Sequence, residues 1–325
     1  MSEIRVMIFD RQTSAIRSGG EELLDNFDPT DRTWYWVDMT GAPSERKERI
    51  MRKTFAVPKL AVQDANRQRH PPKLEHVGNQ EFLMLRDIAE GGADPSAAPR
   101  QLSMFIHDDH LLTVHPEASI SVDRAWETMA SSTDELQQGS GHVVYRICRA
   151  IVDTMTPVVL GHEEALAYIE DNIFENPDDT VLEELSSLNR VLRRLRRVLI
   201  YQSKVIDQLR QNRIQSAVTF DIHEITDIYE NMDRLATLCQ VNQELAVDLL
   251  NTHLSVVSHR LNIVMRALTV ATILFLPLGL LAGIYGMNFQ VMPELSWHYG
   301  DFGVLGAMAV IATGLIIFFR RKDWL

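Results

Sequence analysis

This 325-residue sequence predicts an α+β cytoplasmic domain followed by long helices and two C-terminal transmembrane helices. Three observations carry that expectation. From Ala267 to Phe319 the only charged side chains are Glu294 and Asp301, whereas everything before Ala267 is densely charged. From Asp178 to Leu276 neither glycine nor proline interrupts 99 consecutive residues. Ahead of that stretch, short apolar or alternating segments are separated by turn-rich ones, which is the pattern of strands.

Residues 1–135 read as the α/β domain. Ile4–Asp10, Thr33–Asp38, Phe82–Ile88, Leu102–His107 and Leu111–His115 are the expected strands, and Glu45–Ala65 the expected helix. Pro71-Pro72 and Gly91-Gly92-Ala93-Asp94-Pro95 mark loops. His107-Asp108-Asp109-His110, with His115 nearby, has the composition of a metal cluster. It falls between two strands, though, where Asp-Asp makes a hairpin turn and alternate side chains leave on opposite faces, so a structural role is expected.

Residues 136–217 read as an antiparallel helical arm, with one helix over about 142–175 and another over 179–216. Thr219 or Asp221 is placed to cap the next helix. The arm carries Arg190, Arg193, Arg194, Arg196 and Arg197, expected as a solvated face paired with an acidic neighbour; lipid headgroups are the alternative. Residues 218–286 read as a stalk helix that continues into the first transmembrane helix. Near its start lie His223, Glu224, Asp227 and Glu230, with His223 and Asp227 four apart on one face. A solvated surface or a weak divalent site between subunits both fit, since carboxylate oxygen suits a hard cation.

Further along, Asn251, Leu254, Ser258, Leu261, Met265, Leu268, Thr272, Leu276, Gly279 and Gly283 recur at three- and four-residue spacing. That is how a helix packs on copies of itself. The mixture of small, polar and apolar residues suits a narrow pore gated by dewetting, and a plain coiled-coil seam suits it too. The run Ala267–Gly286 is uncharged and long enough to cross about 30 Å of hydrocarbon. Residues 302–319 form the second span, 287–301 the external loop and 320–325 a basic tail. Arg260 and Arg266 precede the first span and Arg320, Arg321 and Lys322 follow the second, so both termini are expected in the cytoplasm. Two helices cannot enclose a pore, and conduction therefore requires several chains in the lipid bilayer; the alternative is a two-helix anchor.

A net charge of −12 argues against nucleic acid as a partner and is compatible with attracting cations. The two cysteines, Cys148 and Cys239, have no metal or disulfide spacing. No basic n-region with an apolar h-region opens the chain, so no signal peptide is expected. Nucleophile elbows, phosphate-cradling glycine loops and HExxH motifs do not occur, so no enzyme and no organic cofactor is expected.

The outer end of the first span reads Tyr285-Gly286-Met287-Asn288-Phe289, followed by Met292-Pro293-Glu294-Leu295. With Leu261-Asn262-Ile263-Val264-Met265-Arg266 and the ending Arg321-Lys322-Asp323-Trp324-Leu325, this resembles the CorA family of divalent-cation channels, densely over the last seventy-five or so residues. The resemblance implies a funnel-shaped homopentamer in a prokaryotic inner membrane that passes Mg²⁺, with Co²⁺ and Ni²⁺ as further candidates. It implies a selectivity filter of Gly286, Met287 and Asn288, with Glu294 in the external loop. Leu268 and Leu276 would be constrictions, Asn262 a polar ring, and Asp227, with His223, an intersubunit site where intracellular Mg²⁺ favours the closed state. Three positions depart from the family: Asn251 stands where an acidic pore residue occurs, Gly279 replaces a hydroxyl-bearing residue, and Leu276 replaces a methionine. A zinc transporter of the same superfamily and a non-conducting membrane-anchored sensor are the rival readings.

Overall fold

The computed structural model describes residues 4–25, 27, 32–67, 70–88, 99–174, 179–211, 215, 218–287, 299–322 and 324. They form two compact units, one from Met1–Ile173 with Asp178–Leu250, the other from Phe174–Pro177 with Asn251–Leu325. An α+β body, long helices and two apolar C-terminal helices are all present.

The first unit is built on a seven-stranded sheet. Its strands are β1 (Ile4–Asp10), β2 (Ala15–Gly19), β3 (Thr33–Thr40), β4 (Lys73–Val77), β5 (Gln80–Asp87), β6 (Arg100–Ile106) and β7 (His110–His115), in the spatial order β2-β1-β3-β7-β6-β5-β4. Only the β3–β7 pair is parallel; every other pair is antiparallel. Side chains alternate strictly between two cores. Val6, Ile8, Tyr35, Val37, Phe82 and Leu112 enter one, and Met7, Phe9, Trp34, Trp36, Leu83 and Leu111 enter the other. Covering both faces is why these strands read as nearly continuous apolar runs.

On the first face the expected single helix over 45–65 is interrupted. Helix α1 (Glu45–Arg49) is capped by Ser44, whose Oγ accepts from the Lys47 amide at 3.3 Å. It continues as a π turn over Ile50–Thr54, breaks, and resumes as α2 (Lys59–Asn66). The break has two causes: Ala56 sits in the left-handed region at φ 52°, and Pro58 has no amide hydrogen to extend a helical ladder. Strands β2 and β4 were not anticipated either. Both are short, lie at the two edges of the sheet and keep half-wet, polar faces, so neither carries an apolar period.

On the second face lie α3 (Ile120–Ser131), the short α4 (Thr133–Gln137), α5 (Ser140–Asn172), α6 (Asp179–Arg210) and the part of α7 (Ile222–Tyr285) that belongs to this unit. The last three pack through Ile147, Ile151, Met155, Leu192, Leu199 and Ile228, all fully buried. A β-carbon on Gly141 would stand 2.1 Å from the Thr219 carbonyl oxygen, so only glycine lets the chain ahead of α7 pass this close to α5. Cys148 and Cys239 are both buried free thiols, and desolvation pushes each up to about 12.

A polar network is sealed into the body. Asp38, 1 % exposed, accepts from Thr113 Oγ1 at 2.5 Å and His115 Nε2 at 2.9 Å through one oxygen, and from Arg5 Nε at 2.8 Å through the other. Arg5 also reaches Asp123 at 2.5 Å and lies over the Trp126 ring. Asp38 thus joins β1, β3 and β7, and Arg5 extends the network to α3 through Asp123.

In the second unit, residues 251–285 of α7 and the helix α8 (Gly300–Arg321) are each long and apolar enough to span a membrane, and almost none of either is buried within the chain.

Candidate ion pathway and metal-sensing site

Eleven positions on α7 were expected to line a pathway. Asn251, Leu254, Ser258, Leu261, Asn262 and Met265 lie exposed on the helix, as do Leu268, Thr272, Leu276, Gly279 and Gly283. Leu276, at 72 %, is the most open of the apolar ones. The Thr272 hydroxyl donates to the Leu268 carbonyl at 2.9 Å, which ties its proton to the helix and leaves oxygen lone pairs outward. A β-carbon on Gly279 or Gly283 would meet nothing within 4 Å, so this face offers room for close approach of another helix. Pro277 lies inside α7, where it withholds one ladder hydrogen bond.

At its far end α7 stops at Tyr285. The Gly286 amide donates to the Ala282 carbonyl at 2.9 Å and the Met287 amide to Ile284 at 3.3 Å. A β-carbon on Gly286 would come 3.0 Å from that same Ala282 oxygen, so the turn favours glycine. Asn288 and Glu294 lie outside the described residues, as does the Gly91–Pro95 loop. Helix α8 begins beside an exposed Tyr299 and ends in Arg320 and Arg321. An aromatic at one end and arginines at the other is the distribution of a span anchored at two interfaces.

In the first unit, Asp227 is engaged within its own chain. Arg149 Nη1 donates to Asp227 Oδ2 at 2.6 Å, and Asn231 Nδ2 donates to Oδ1 at 3.0 Å. His223 stands exposed in the first turn of α7, and its backbone amide donates to the capping Asp221 Oδ1 at 2.7 Å. Glu224 turns the other way, onto His142 Nδ1 at 2.8 Å, while His142 Nε2 meets Glu135 at 2.6 Å. Burial raises the Glu224 carboxyl against the pull of His142. Among the described residues no three histidine, cysteine or acidic side chains converge as a metal cage within one chain. Sequence reasoning missed Arg149: its contact with Asp227 spans 78 positions and leaves no periodic trace.

His107 and His110 flank the β6–β7 turn. Their rings stack at 4.9 Å, and His110 is buried against Phe55 and Phe27. Desolvation, aided by His107, lowers His110 to about 3, so the ring is neutral. His115 belongs to the Asp38 network. These histidines pack into the turn and the sheet. The arginine run differs from its expectation. Arg190, Arg193, Arg194 and Arg197 are exposed on α6 and meet no carboxylate among the described residues, and Arg196 turns to the amides of Gln240 and Gln243 instead.

A polar body with two apolar helices at its C-terminal end is the make-up of an integral membrane protein. A family model described as CorA-like Mg2+ transporter protein matches residues 31–321, and the chain belongs to that family. It is a divalent metal ion transporter, a class of membrane transporters rather than of enzymes. The chain is 30% identical over 307 residues to YfjQ of Bacillus subtilis, covering 93% of each. It is 25% identical over 291 residues to the cobalt/magnesium transport protein CorA of Thermotoga maritima, covering 89% of this chain and 83% of that one. Among solved structures, the complete CorA magnesium transporter from Methanocaldococcus jannaschii superposes over 100% of both chains with a TM-score of 0.83 at 21% identity. The full-length CmaX protein superposes with a TM-score of 0.78 at 18% identity, covering 100% of this chain and 99% of that one. Both likenesses are of fold.

Proposed function

We propose that the chain assembles as a homopentamer that conducts Mg²⁺ passively into a prokaryotic cytoplasm, with both termini on the cytoplasmic side. The supporting observation is the α7 stripe: it lies exposed over the membrane unit, and only copies of the same helix can turn such a face into a lined path. Co²⁺ and Ni²⁺ are candidate secondary cargoes, as the name of the Thermotoga relative suggests for cobalt. Reconstituted flux is the test. Mg²⁺ uptake into liposomes is expected, with Co²⁺ competing. Zn²⁺ uptake without Mg²⁺ uptake would transfer the chain to the zinc branch, and absence of any divalent flux would leave a membrane-anchored sensor.

In this reading Gly286, Met287 and Asn288 form the outer filter, with Glu294 in the loop beside it. Mg²⁺ releases its water reluctantly, so a ring of neutral amide oxygens holds the hydrated ion through hydrogen bonds from its own waters. Leu268 and Leu276 close the path by dewetting when their rings draw together. Asn251 and Asn262 supply polar rings on the cytoplasmic side. Intracellular Mg²⁺ between subunits at Asp227, near His223, favours the closed state, and its loss shifts the population toward the open one.

The Arg149–Asp227 pair gives this sensor a competitor within its own chain. Asp227→Lys is expected to weaken inhibition by intracellular Mg²⁺. Arg149→Gln is expected to move inhibition several-fold toward lower Mg²⁺, because the carboxylate loses its rival cation. A flux-against-Mg²⁺ titration from the cytoplasmic face reads both, and an unaltered response in both variants would remove Asp227 from the sensor.

A further inference from the structure

Two unpaired stripes of opposite charge lie on neighbouring helices of the first unit. On α6, Arg190, Arg193, Arg194, Arg197, Tyr201 and Lys204 share one exposed face, five cations and an aromatic. They line an open cleft of about 700 Å³ together with Gln243 of α7. On α7, Glu230, Asp233, Glu244 and Asp248 share another exposed face, net acidic despite Arg234 on it, with Val241 standing 54 % open among them. Among the described residues, none of these charged side chains forms an ion pair, and Glu244 receives only the Gln240 amide at 3.0 Å.

The two stripes match in length. The fourteen steps from Arg190 to Lys204 rise about 21 Å, and the eighteen from Glu230 to Asp248 about 27 Å. Each also carries one exposed apolar or aromatic side chain among its charges, Tyr201 in one and Val241 in the other. Arg196 accounts for why they do not neutralise each other within one chain. It is the arginine that faces α7, and it is satisfied by Gln240 and Gln243, while the remaining guanidiniums point away from the three-helix core.

We infer that the arginine stripe of one chain docks on the acidic stripe of α7 in the next copy, forming a head-to-tail interface. Two different surfaces meeting heterologously close a ring when the rotation permits. The partner is therefore a second copy of this chain, recognised by complementary charge and seated on Tyr201 and Val241. This rests on the oligomeric reading above and adds to it the surface through which the bodies join.

Charge exchange in the full-length chain tests it. Arg193→Glu with Arg194→Glu and Arg197→Glu is expected to raise the concentration at which the detergent-solubilised oligomer dissociates by at least tenfold. Glu230→Lys with Glu244→Lys and Asp248→Lys is expected to do the same, and a chain carrying all six is expected to recover. In parallel, Tyr201→Cys with Val241→Cys is treated with a short thiol crosslinker; both native thiols are buried, so background is low. A heterologous contact gives a ladder beyond dimers, and each single-cysteine variant gives none. Intact assembly in all charge variants with no ladder would overturn the interface while leaving the oligomer standing. Failure of the unmodified chain to assemble would overturn the oligomeric reading itself. Loss of binding to phosphatidylglycerol vesicles or ATP in the arginine variant, with assembly untouched, would overturn the interface in favour of an anionic ligand.

Discussion

Asn288→Ala is expected to lower selective Mg²⁺ uptake by at least tenfold while the oligomer stays intact. The argument is one of hydrogen-bond number. A hydrated Mg²⁺ presents a shell of strongly polarised water donors, and in the proposed oligomer a ring of Asn288 carboxamides would offer it an acceptor from every chain. Each such bond contributes about 1 kcal/mol net in water, so losing even two of them exceeds the about 1.4 kcal/mol that a tenfold change requires. Neutral amides attract without stripping the shell, whereas a methyl group offers nothing to a water donor. The measurement is Mg²⁺ uptake in liposomes against a monovalent competitor, with size-exclusion chromatography confirming assembly. Unchanged selective uptake would remove Asn288 from the filter.

Asp38→Ala is expected to destabilise the body by about 3–5 kcal/mol, the cost of stranding buried polar partners after one charge is deleted. Arg5 Nε, Thr113 and His115 Nε2 would each lose an acceptor. At roughly 2–4 °C per kcal/mol for a unit of this size, thermal unfolding of the solubilised chain falls by about 10 °C. Thr113→Val should cost less, about 1–2 kcal/mol, since it removes one donor and also strands the Trp36 indole, which donates to Thr113 at 3.1 Å. A melting temperature equal to the parent's in Asp38→Ala would show that the network does not hold the sheet.

The same carboxylate sets an acid limit. Burial alone would raise it, but His115, Arg5 and the Thr113 hydroxyl together hold it below the usual carboxylate value. A depressed folded value means that its stabilisation is complete above the unfolded carboxylate value near about 3.9 and drains away as pH falls through the folded one. The body should therefore resist mild acid, and Asp38→Asn should flatten the acidic limb of a stability-against-pH curve.

Much of the architecture was legible because its signals are strong. The uncharged runs around Pro277 and Gly314 are long, and β1, β3, β5, β6 and β7 are apolar on both faces. Elements that escaped obey weaker rules. In β2, Ala15-Ile16-Arg17-Ser18-Gly19 has no period, because an edge strand with a wet face has no reason to keep one. The helix over 45–65 looked continuous because one proline near its end does not announce the left-handed Ala56 before it. At the candidate site, three- and four-residue spacing marked the α7 stripe. It could not reveal that Arg149 occupies Asp227, since that contact depends on how α5 meets α7.

The two edges of the sheet have a consequence for how the protein can crowd. An open edge is a template for adding strands from another molecule, and a membrane concentrates copies in two dimensions. Here β2 contributes only five residues and leads into Gly19-Gly20, while β4 carries Lys73, Glu75 and His76 along its edge. Short length and charge both discourage a further strand. Copies pressed together in a bilayer therefore gain little by zipping sheet to sheet, and growth into fibres is blunted at both rims.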